Sequence, residues 1–431
     1  MSDEHPHGDS TRVISAGKII TGKPGEVKER ASVVIGNGNI KWVGSTDDIP
    51  VEYADVTQER YPSSTILPGL IETHAHFGAR NGSQPNVPNP ELHVQGWNAL
   101  YSAKVLHQLA SIGITSVQSL GSKFYTDVAV SQAVEQGLIE GPRVVPAEPM
   151  ITTTGGHDWK DGSEVDSLDD IRHAVREHHK AGAAVIKVAA TGGFMTPGTA
   201  QWNAQFTTEE LRVFVDEAHR LGKHLAVHAH GTQGIRRAVD AGVDYIAHAT
   251  FIDEDGITRF DGSLADRIAD AGIYVDVASP PSYPPVAHET IAPRAFDLFS
   301  HGVRIVTGHD IGAVIPPYGY LYGLEQLELA GIPRSEILIA ATSRAAAAIG
   351  LAGVAGVIER DYSADLLVVD GDPLKDLKAL HNRQLIVIRG KNFIPEKLPT
   401  YEGRKVPSQA GPVSVLGRRS EALRRQQLQQ W

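Results

Sequence analysis

One arrangement recurs through the middle of this chain and limits its fold more than any other feature: a helix-compatible run, a glycine, then a short apolar run. The glycines are Gly113, Gly182, Gly222, Gly242, Gly272 and Gly302. Amphipathic stretches such as EELRVFVDEAHRL precede them, and ITSVQS, AAVIKVAA, KHLAVHAH, VDYIAHAT, IYVDVAS and VRIVTG follow in turn. A glycine in the left-handed conformation just past a helix is the expected stop before the next strand. Counting TILPGLIETHAH and PRVVPAE as further strands gives eight βα units, the number a closed parallel barrel needs. Periodicity alone does not separate that barrel from an open doubly wound sheet. The expectation is an α/β chain built on a (β/α)8 TIM barrel.

Strand-like sequence flanks the repeat on both sides. RASVVIGNGNIKWVGS reads as a hairpin turning around Gly36-Asn37-Gly38-Asn39, and SADLLVVDGD and QLIVIRGKNF read as strands near the other end. A small β-sandwich domain built from both chain ends follows. The expected organisation is a disordered N-terminus over 1–10, sandwich over 11–64, barrel over 65–352, sandwich again over 353–397 and a tail over 398–431. The tail reads either as a solvated segment or as an arm docking on a neighbouring subunit of a homo-oligomer, anchored by Leu423, Leu428 and Trp431.

Composition narrows the function. A net charge of −11 argues against nucleic acid as a partner, since phosphate binding needs a cationic face. With no cysteine, thiolate zinc sites, disulfides and cysteine nucleophiles are excluded. The opening MSDEHPHGDS lacks the layout of a secretory signal, and no apolar run reaches the roughly 18 residues of a membrane span. A cytoplasmic protein with no membrane partner is expected.

The chemistry concentrates at the ends of the expected strands. In Leu67-Pro68-Gly69-Leu70-Ile71-Glu72-Thr73-His74-Ala75-His76, two histidines at i and i+2 share one side of a strand. If that strand lines a barrel, both imidazoles aim inward near its C-terminal end, where barrel active sites sit. Lys187 stands in the almost wholly apolar Ala184-Val185-Ile186-Lys187-Val188-Ala189, where burial drives an ammonium toward its neutral form. It is either paired with a nearby carboxylate, or a neutral amine that takes up CO2 to become a carbamate bridging two cations. His228 ends the next strand, with His230 two residues on; His248 ends the one after, and Asp310 follows VRIVTG. Imidazoles with anionic oxygens suit two divalent cations, zinc first, with manganese or cobalt as alternatives. Such a pair lowers the pKa of a shared water and polarises a carbonyl, while Asp310 takes and returns the proton.

From about residue 12 to 395 this pattern resembles the amidohydrolase superfamily in its binuclear, carboxylated-lysine form. The resemblance includes the closing stretch Ala364-Asp365-Leu366-Leu367-Val368-Val369-Asp370-Gly371-Asp372-Pro373. It implies that His74 and His76 bind the more buried metal, Lys187 bridges, His228 and His248 bind the outer metal, and Asp310 ligates the buried metal and acts as base. ITTTGGHDW, AATGGFMTPGT and AVHAHG look like the imidazolonepropionase-related branch, with its prolidase-like dipeptidases, N-acyl amino acid carboxypeptidases and ochratoxin-hydrolysing amidases. That likeness selects His228 over His230 as ligand, leaving His230 as a substrate contact or a support for the ligands. It also gives His157 the contact with the substrate carbonyl. The implied reaction is hydrolysis of an amide in a small molecule, a dipeptide or an N-acyl amino acid. The alternatives are aryl ureas, carbamates or cyclic amides on the same site, and a scaffold without activity. Arg80, Lys160, Tyr318 and Tyr320 are candidates for gripping the leaving group. His93, His107, His173, His178, His179, His219 and His224 are expected to be solvated.

Overall fold

A computed structural model describes residues 11–78, 94–277, 292–312 and 315–402. The expectations for residues 1–10, Arg80, His93 and the tail beyond residue 402 fall outside them.

Both chain ends build one seven-stranded sheet. It comprises β1 (Arg12–Ile20), β2 (Val27–Gly36), β3 (Asn39–Ser45) and β4 (Thr57–Pro68), then β13 (Leu366–Asp370), β14 (Arg383–Ile388) and β15 (Lys391–Asn392), in the order β15-β14-β13-β4-β1-β2-β3. The β2–β3 hairpin turns on Asn37 and Gly38, with φ of 53° and 78°, as a two-residue primed turn requires. Its tip returns to the segment entering β13: Ile40 N donates to Tyr362 O at 2.8 Å, and Ala364 N donates to Gly38 O at 2.9 Å. The sheet thereby encloses its own apolar cluster, including Ile14, Val33, Ile35, Ile66, Leu366 and Val368.

Between these ends lie eight parallel strands. They are β5 (Leu70–Phe77), β6 (Ile114–Ser122), β7 (Arg143–Val145), β8 (Val185–Ala189), β9 (His224–Gly231), β10 (Tyr245–Ile252), β11 (Tyr274–Asp276) and β12 (Arg304–Ile305). Main-chain bonds outside the regular ladders complete the ring. Ala184 N donates to Pro146 O at 2.8 Å between β7 and β8; beyond β12, Thr73 N reaches Thr307 O at 3.0 Å and His76 N reaches Ile311 O at 2.7 Å. The result is a TIM barrel with a flanking β domain. All six glycines of the repeat have positive φ, from 67° at Gly222 to 117° at Gly182, so each supplies the turn that returns a helix to the barrel. Helices α1 (Leu168–Ala181) and α2 (Thr208–Arg220) open on capping boxes, Ser167 with Asp170 and Thr207 with Glu210. Among the described residues no helix is long and apolar enough to cross a membrane.

The barrel interior is closed below the site by Ile71, Val145, Val185, Ala226, Tyr245, Ala247 and Val306, packed on Ala345, Ala346 and Ile349. Period-two alternation then puts Lys187, two residues beyond Val185, and His228, two beyond Ala226, on the same inward face.

Glu148, just beyond β7, is fully buried with φ 70°, and neither carboxyl oxygen has a hydrogen-bond partner among the described residues. Burial, then the nearby Asp127, pushes its pKa from the ordinary 4.5 up to about 8. The folded chain therefore binds a proton that the unfolded chain has released, and stability falls as pH rises between these two values. Thermal melts from pH 5 to 9 should show Glu148→Gln losing less stability than the parent across that window. Parallel curves would contradict this.

Candidate metal centre

His74 and His76 leave β5 with ring centroids 5.3 Å apart. His74 Nδ1 lies 3.1 Å from Asp276 Oδ2, and His76 Nδ1 lies 3.1 Å from the Gly121 carbonyl. When these Nδ1 atoms donate, each ring keeps its Nε2 lone pair. Both Nε2 atoms face one carboxylate oxygen, Asp310 Oδ1, at 3.7 Å for His74 and 3.0 Å for His76. Lone pairs aimed at a carboxylate demand positive charge among them, either an imidazolium proton or a cation. Their nitrogens and the Asp310 carboxylate all lie within 4.8 Å of one another.

A second group meets the same criterion: His228, His230 and His248. His248 reaches it through the backbone. Tyr245 and Ala247 belong to the interior cluster, so regular alternation would turn residue 248 outward. Instead φ is 73° at His248 and 42° at Ala249, and the ring lies 4.3 Å from His230 and 4.5 Å from His228. Asp310 is also left-handed, with φ 58°. Such conformations cost about 1–3 kcal/mol each, and persist where surrounding structure holds a functional side chain in place.

Lys187 is 1% exposed, and its Nζ has no hydrogen-bond partner among the described residues. The lysine–carboxylate pair allowed by the sequence is thus not formed as a hydrogen bond. Burial pushes its pKa down to about 8, against the opposing fields of Asp276 and Asp310. The same environment favours the neutral form of three imidazoles. Burial, then His157, His230 and Lys187, holds His228 well below its ordinary value; burial, His157 and Arg294 do so for His230; burial, His230 and His228 for His248. Neutral imidazoles, a carboxylate and a desolvated amine form a donor set that fits divalent cations.

His157 and His230 border this set. The His157 ring stacks on His228 at 4.4 Å, with Thr196 Oγ1 3.1 Å from its Nδ1 and Gln205 Oε1 accepting from its backbone N–H at 2.7 Å. Glycine at 193 makes room: a Cβ there would lie 2.2 Å from His157 Cε1. His230 Nδ1 lies 2.7 Å from Thr250 Oγ1. His228 Nε2 approaches the Gly192 carbonyl at 3.4 Å, which would leave its Nδ1 as the free lone pair. All eight residues singled out by the sequence therefore meet at one end of the barrel.

Three groups escaped the sequence reading. Asp276, fully buried, orients His74 and accepts the Tyr245 hydroxyl at 2.6 Å. Glu72, also fully buried, accepts the backbone N–H groups of His74 at 2.7 Å and His309 at 2.8 Å, tying β5 to the loop that carries Asp310. Arg294, in the first turn of α3 (Ala292–Ser300), is the third. Glu72 and Asp276 carried the signal that exposed Lys187, an ionisable residue inside an apolar strand.

Two expectations need correction. His178 is not solvated: it is 2% exposed, with Nδ1 2.8 Å from Ala174 O and Nε2 2.9 Å from Pro149 O. Tyr320 is no substrate contact, because its fully buried hydroxyl donates to Ile71 O at 2.9 Å and meets Thr307 Oγ1 at 2.9 Å.

Residues 65–393, well over half of the chain, match the amidohydrolase family. Ochratoxinase of Aspergillus niger is 28% identical over 422 residues, spanning 87% of this chain and 84% of that protein. Its crystal structure aligns with a TM-score of 0.77 at 26% identity, over 89% of this chain and 96% of that one. A Xaa-Pro dipeptidase, crystallised with methionine in its active site, gives a TM-score of 0.78 at 26% identity, over 89% and 99%. Imidazolonepropionase of Paracoccus denitrificans is 25% identical over 369 residues, 79% of this chain and 88% of that enzyme.

Proposed function

The chain belongs to the amidohydrolase family, and from that premise we propose that it hydrolyses the amide bond of a dipeptide or N-acyl amino acid at a centre of two divalent cations, zinc first. The observation that carries this reading is the convergence of two three-donor groups with a buried lysine amine that has no hydrogen-bond partner among the described residues. His74, His76 and Asp310 would hold one ion, and His228 and His248 the other. The amine of Lys187, kept near neutrality by burial, would add CO2 and release a proton, and the resulting carbamate would supply anionic oxygen to the centre. Bound ions supply Lewis acidity, which makes water nucleophilic near neutral pH and polarises the scissile carbonyl.

The side chains divide the remaining work. Asp310 accepts the proton of the attacking water as its oxygen bonds to the carbonyl carbon. It returns that proton to the nitrogen as the C–N bond breaks, so the products are a carboxylic acid and an amine. His157, oriented by Thr196 and Gln205, donates toward the oxygen on which negative charge develops. Asp276 and the Gly121 carbonyl favour the Nδ1–H tautomer of the first two imidazoles, whose Nε2 atoms would then be available to hold an ion. His230, braced by Thr250, lines the substrate side. Similarity to an ochratoxinase and to a Xaa-Pro dipeptidase supports an acylated amino acid as substrate.

Turnover of a panel of N-acyl amino acids, set against phenylureas and cyclic amides, tests the assignment. N-acyl amino acids should be cleaved with the higher kcat/KM. Turnover of neutral ureas alone would overturn it.

A further inference from the structure

A tyrosine hydroxyl stands on the barrel floor where packing alone would not call for one. Tyr245, the first residue of β10, is 1% exposed and belongs to the same cluster as Ile71, Val145, Val185, Ala226 and Val306. A phenylalanine would fill this space, and a buried hydroxyl is costly unless it is hydrogen-bonded. Here it is bonded on both sides. It donates to Asp276 Oδ2 at 2.6 Å and lies 2.8 Å from Thr73 Oγ1. Burial, then the charge of Asp276, holds the phenol well above its ordinary pKa, so the proton stays on the tyrosine. A phenol has one proton to give; with that directed at Asp276, the Thr73 hydroxyl is the donor at the other contact. Donation therefore runs from Thr73 to Tyr245 to Asp276.

This relay ends on a proposed metal ligand. Asp276 Oδ2 also lies 3.1 Å from His74 Nδ1, while Oδ1 has no hydrogen-bond partner among the described residues. The carboxylate is thus oriented by two hydrogen bonds, both at one oxygen. Thr73 is itself fixed: its N–H donates to Thr307 O at 3.0 Å, and its carbonyl accepts from Gln118 Nε2 at 2.9 Å. Glycine at 308 leaves room for the junction, since a Cβ there would lie 2.8 Å from His74 Cβ and 2.9 Å from both Asp276 Cβ and Thr73 Oγ1. The relay closes on itself, because Thr73 and His74 are neighbours in β5.

We propose that Tyr245 is a positioning residue whose hydroxyl, backed by Thr73, locks the Asp276 carboxylate so that His74 keeps its proton on Nδ1 and leaves Nε2 for the metal centre. Sealed beneath the site, it acts only through Asp276. This rests on the two-cation reading above and extends it from the ligands to the barrel floor. Tyr245→Phe removes one of the two donors at Oδ2. The carboxylate can then turn and the ring can adopt its other tautomer, with the number of bound protons unchanged.

The test compares wild type, Tyr245→Phe and Thr73→Val, with Val145→Ala as a control that loosens the same floor without removing a hydroxyl. Nitrogen-15 spectra of histidine-labelled, metal-free protein report which ring nitrogen carries the proton, and His74→Ala identifies the His74 signals. Zinc affinity is read separately, by competition with a chromophoric chelator. Wild-type His74 should be the Nδ1–H tautomer. In Tyr245→Phe the Nε2–H form should become populated, and zinc affinity should fall about 10- to 100-fold, the range for losing a support behind a metal-binding histidine. Thr73→Val should shift both in the same direction by less, and carries the test if the Phe variant does not fold. Val145→Ala should match wild type in both. A wild type lacking the Nδ1–H form, an unchanged tautomer in a folded variant, or zinc affinity within twofold of wild type would overturn the proposal, as would equal losses in Val145→Ala. A wild type that binds no zinc refutes the metal-centre reading, while the tautomer measurement still decides the role of Tyr245. Neither measurement needs a substrate, so failure of the amide-hydrolase reading would show separately, in the turnover panel.

Discussion

Lys187→Ala is expected to fold, to lose bound metal, and to retain little activity, with kcat/KM down on the order of 10³-fold or more, the scale of several kcal/mol of Lewis-acid stabilisation. The argument runs from the strand upward. Val185–Ala189 is buried throughout, so nothing in its packing calls for an ammonium, and burial already pushes this one toward neutrality. Removing a buried, unpartnered amine should not destabilise the barrel greatly, although the truncated stem leaves a cavity worth about 1–3 kcal/mol. What disappears is the proposed oxygen bridge between the two imidazole groups. Short carboxylic acids such as acetate or propionate, supplied with metal, should restore part of the activity, because their oxygens can take the place of the carbamate. A variant with wild-type turnover, or one that carboxylates cannot rescue, would speak against the bridging role.

The second large effect is at Asp310. Asp310→Asn should lower kcat by about 10²–10⁴-fold, the range that general acid–base groups contribute. The substitution isolates chemistry from architecture. Position 310 has φ 58°, a region that asparagine adopts almost as readily as aspartate, so the loop should keep its path. Asparagine still offers one carbonyl oxygen toward His74 and His76, but it can neither take up nor return a proton. Loss of kcat with KM nearly unchanged is the expected signature; a variant with full kcat would remove Asp310 from the proton-transfer step.

How far these residues could be found in advance follows from the range of the forces that place them. Six of the eight strands were legible because each is announced locally, by a glycine that ends one helix and an apolar run that starts the next strand; the other two were read from their apolar runs alone. The six proposed ligands and the two bordering histidines were legible for a related reason. Most stand near or just beyond the C-terminal end of a strand, with Lys187 and His248 inside theirs, and a barrel brings those ends together. The supports were not. His74 is oriented by Asp276, 202 positions away, and the backbone of His309 is held by Glu72, 237 positions away. No local pattern pairs such residues, although an isolated acid within an apolar strand was visible in both cases. His178 shares the buried face of its helix with Ile171, Ala174 and Val175, a pattern the sequence did offer, and the carbonyls of Ala174 and Pro149 enclose it. His248 reaches the site only because a left-handed residue breaks strand alternation, which composition does not announce.

The measurement closest to the central claim is the metal content of the purified chain, wild type beside Lys187→Ala, after loading with zinc and removal of excess. Two equivalents per wild-type chain and a clear deficit in the variant are the predicted result. Equal contents in the two proteins, or a wild type that holds no metal at all, would contradict an account in which six distant side chains gather around a pair of cations.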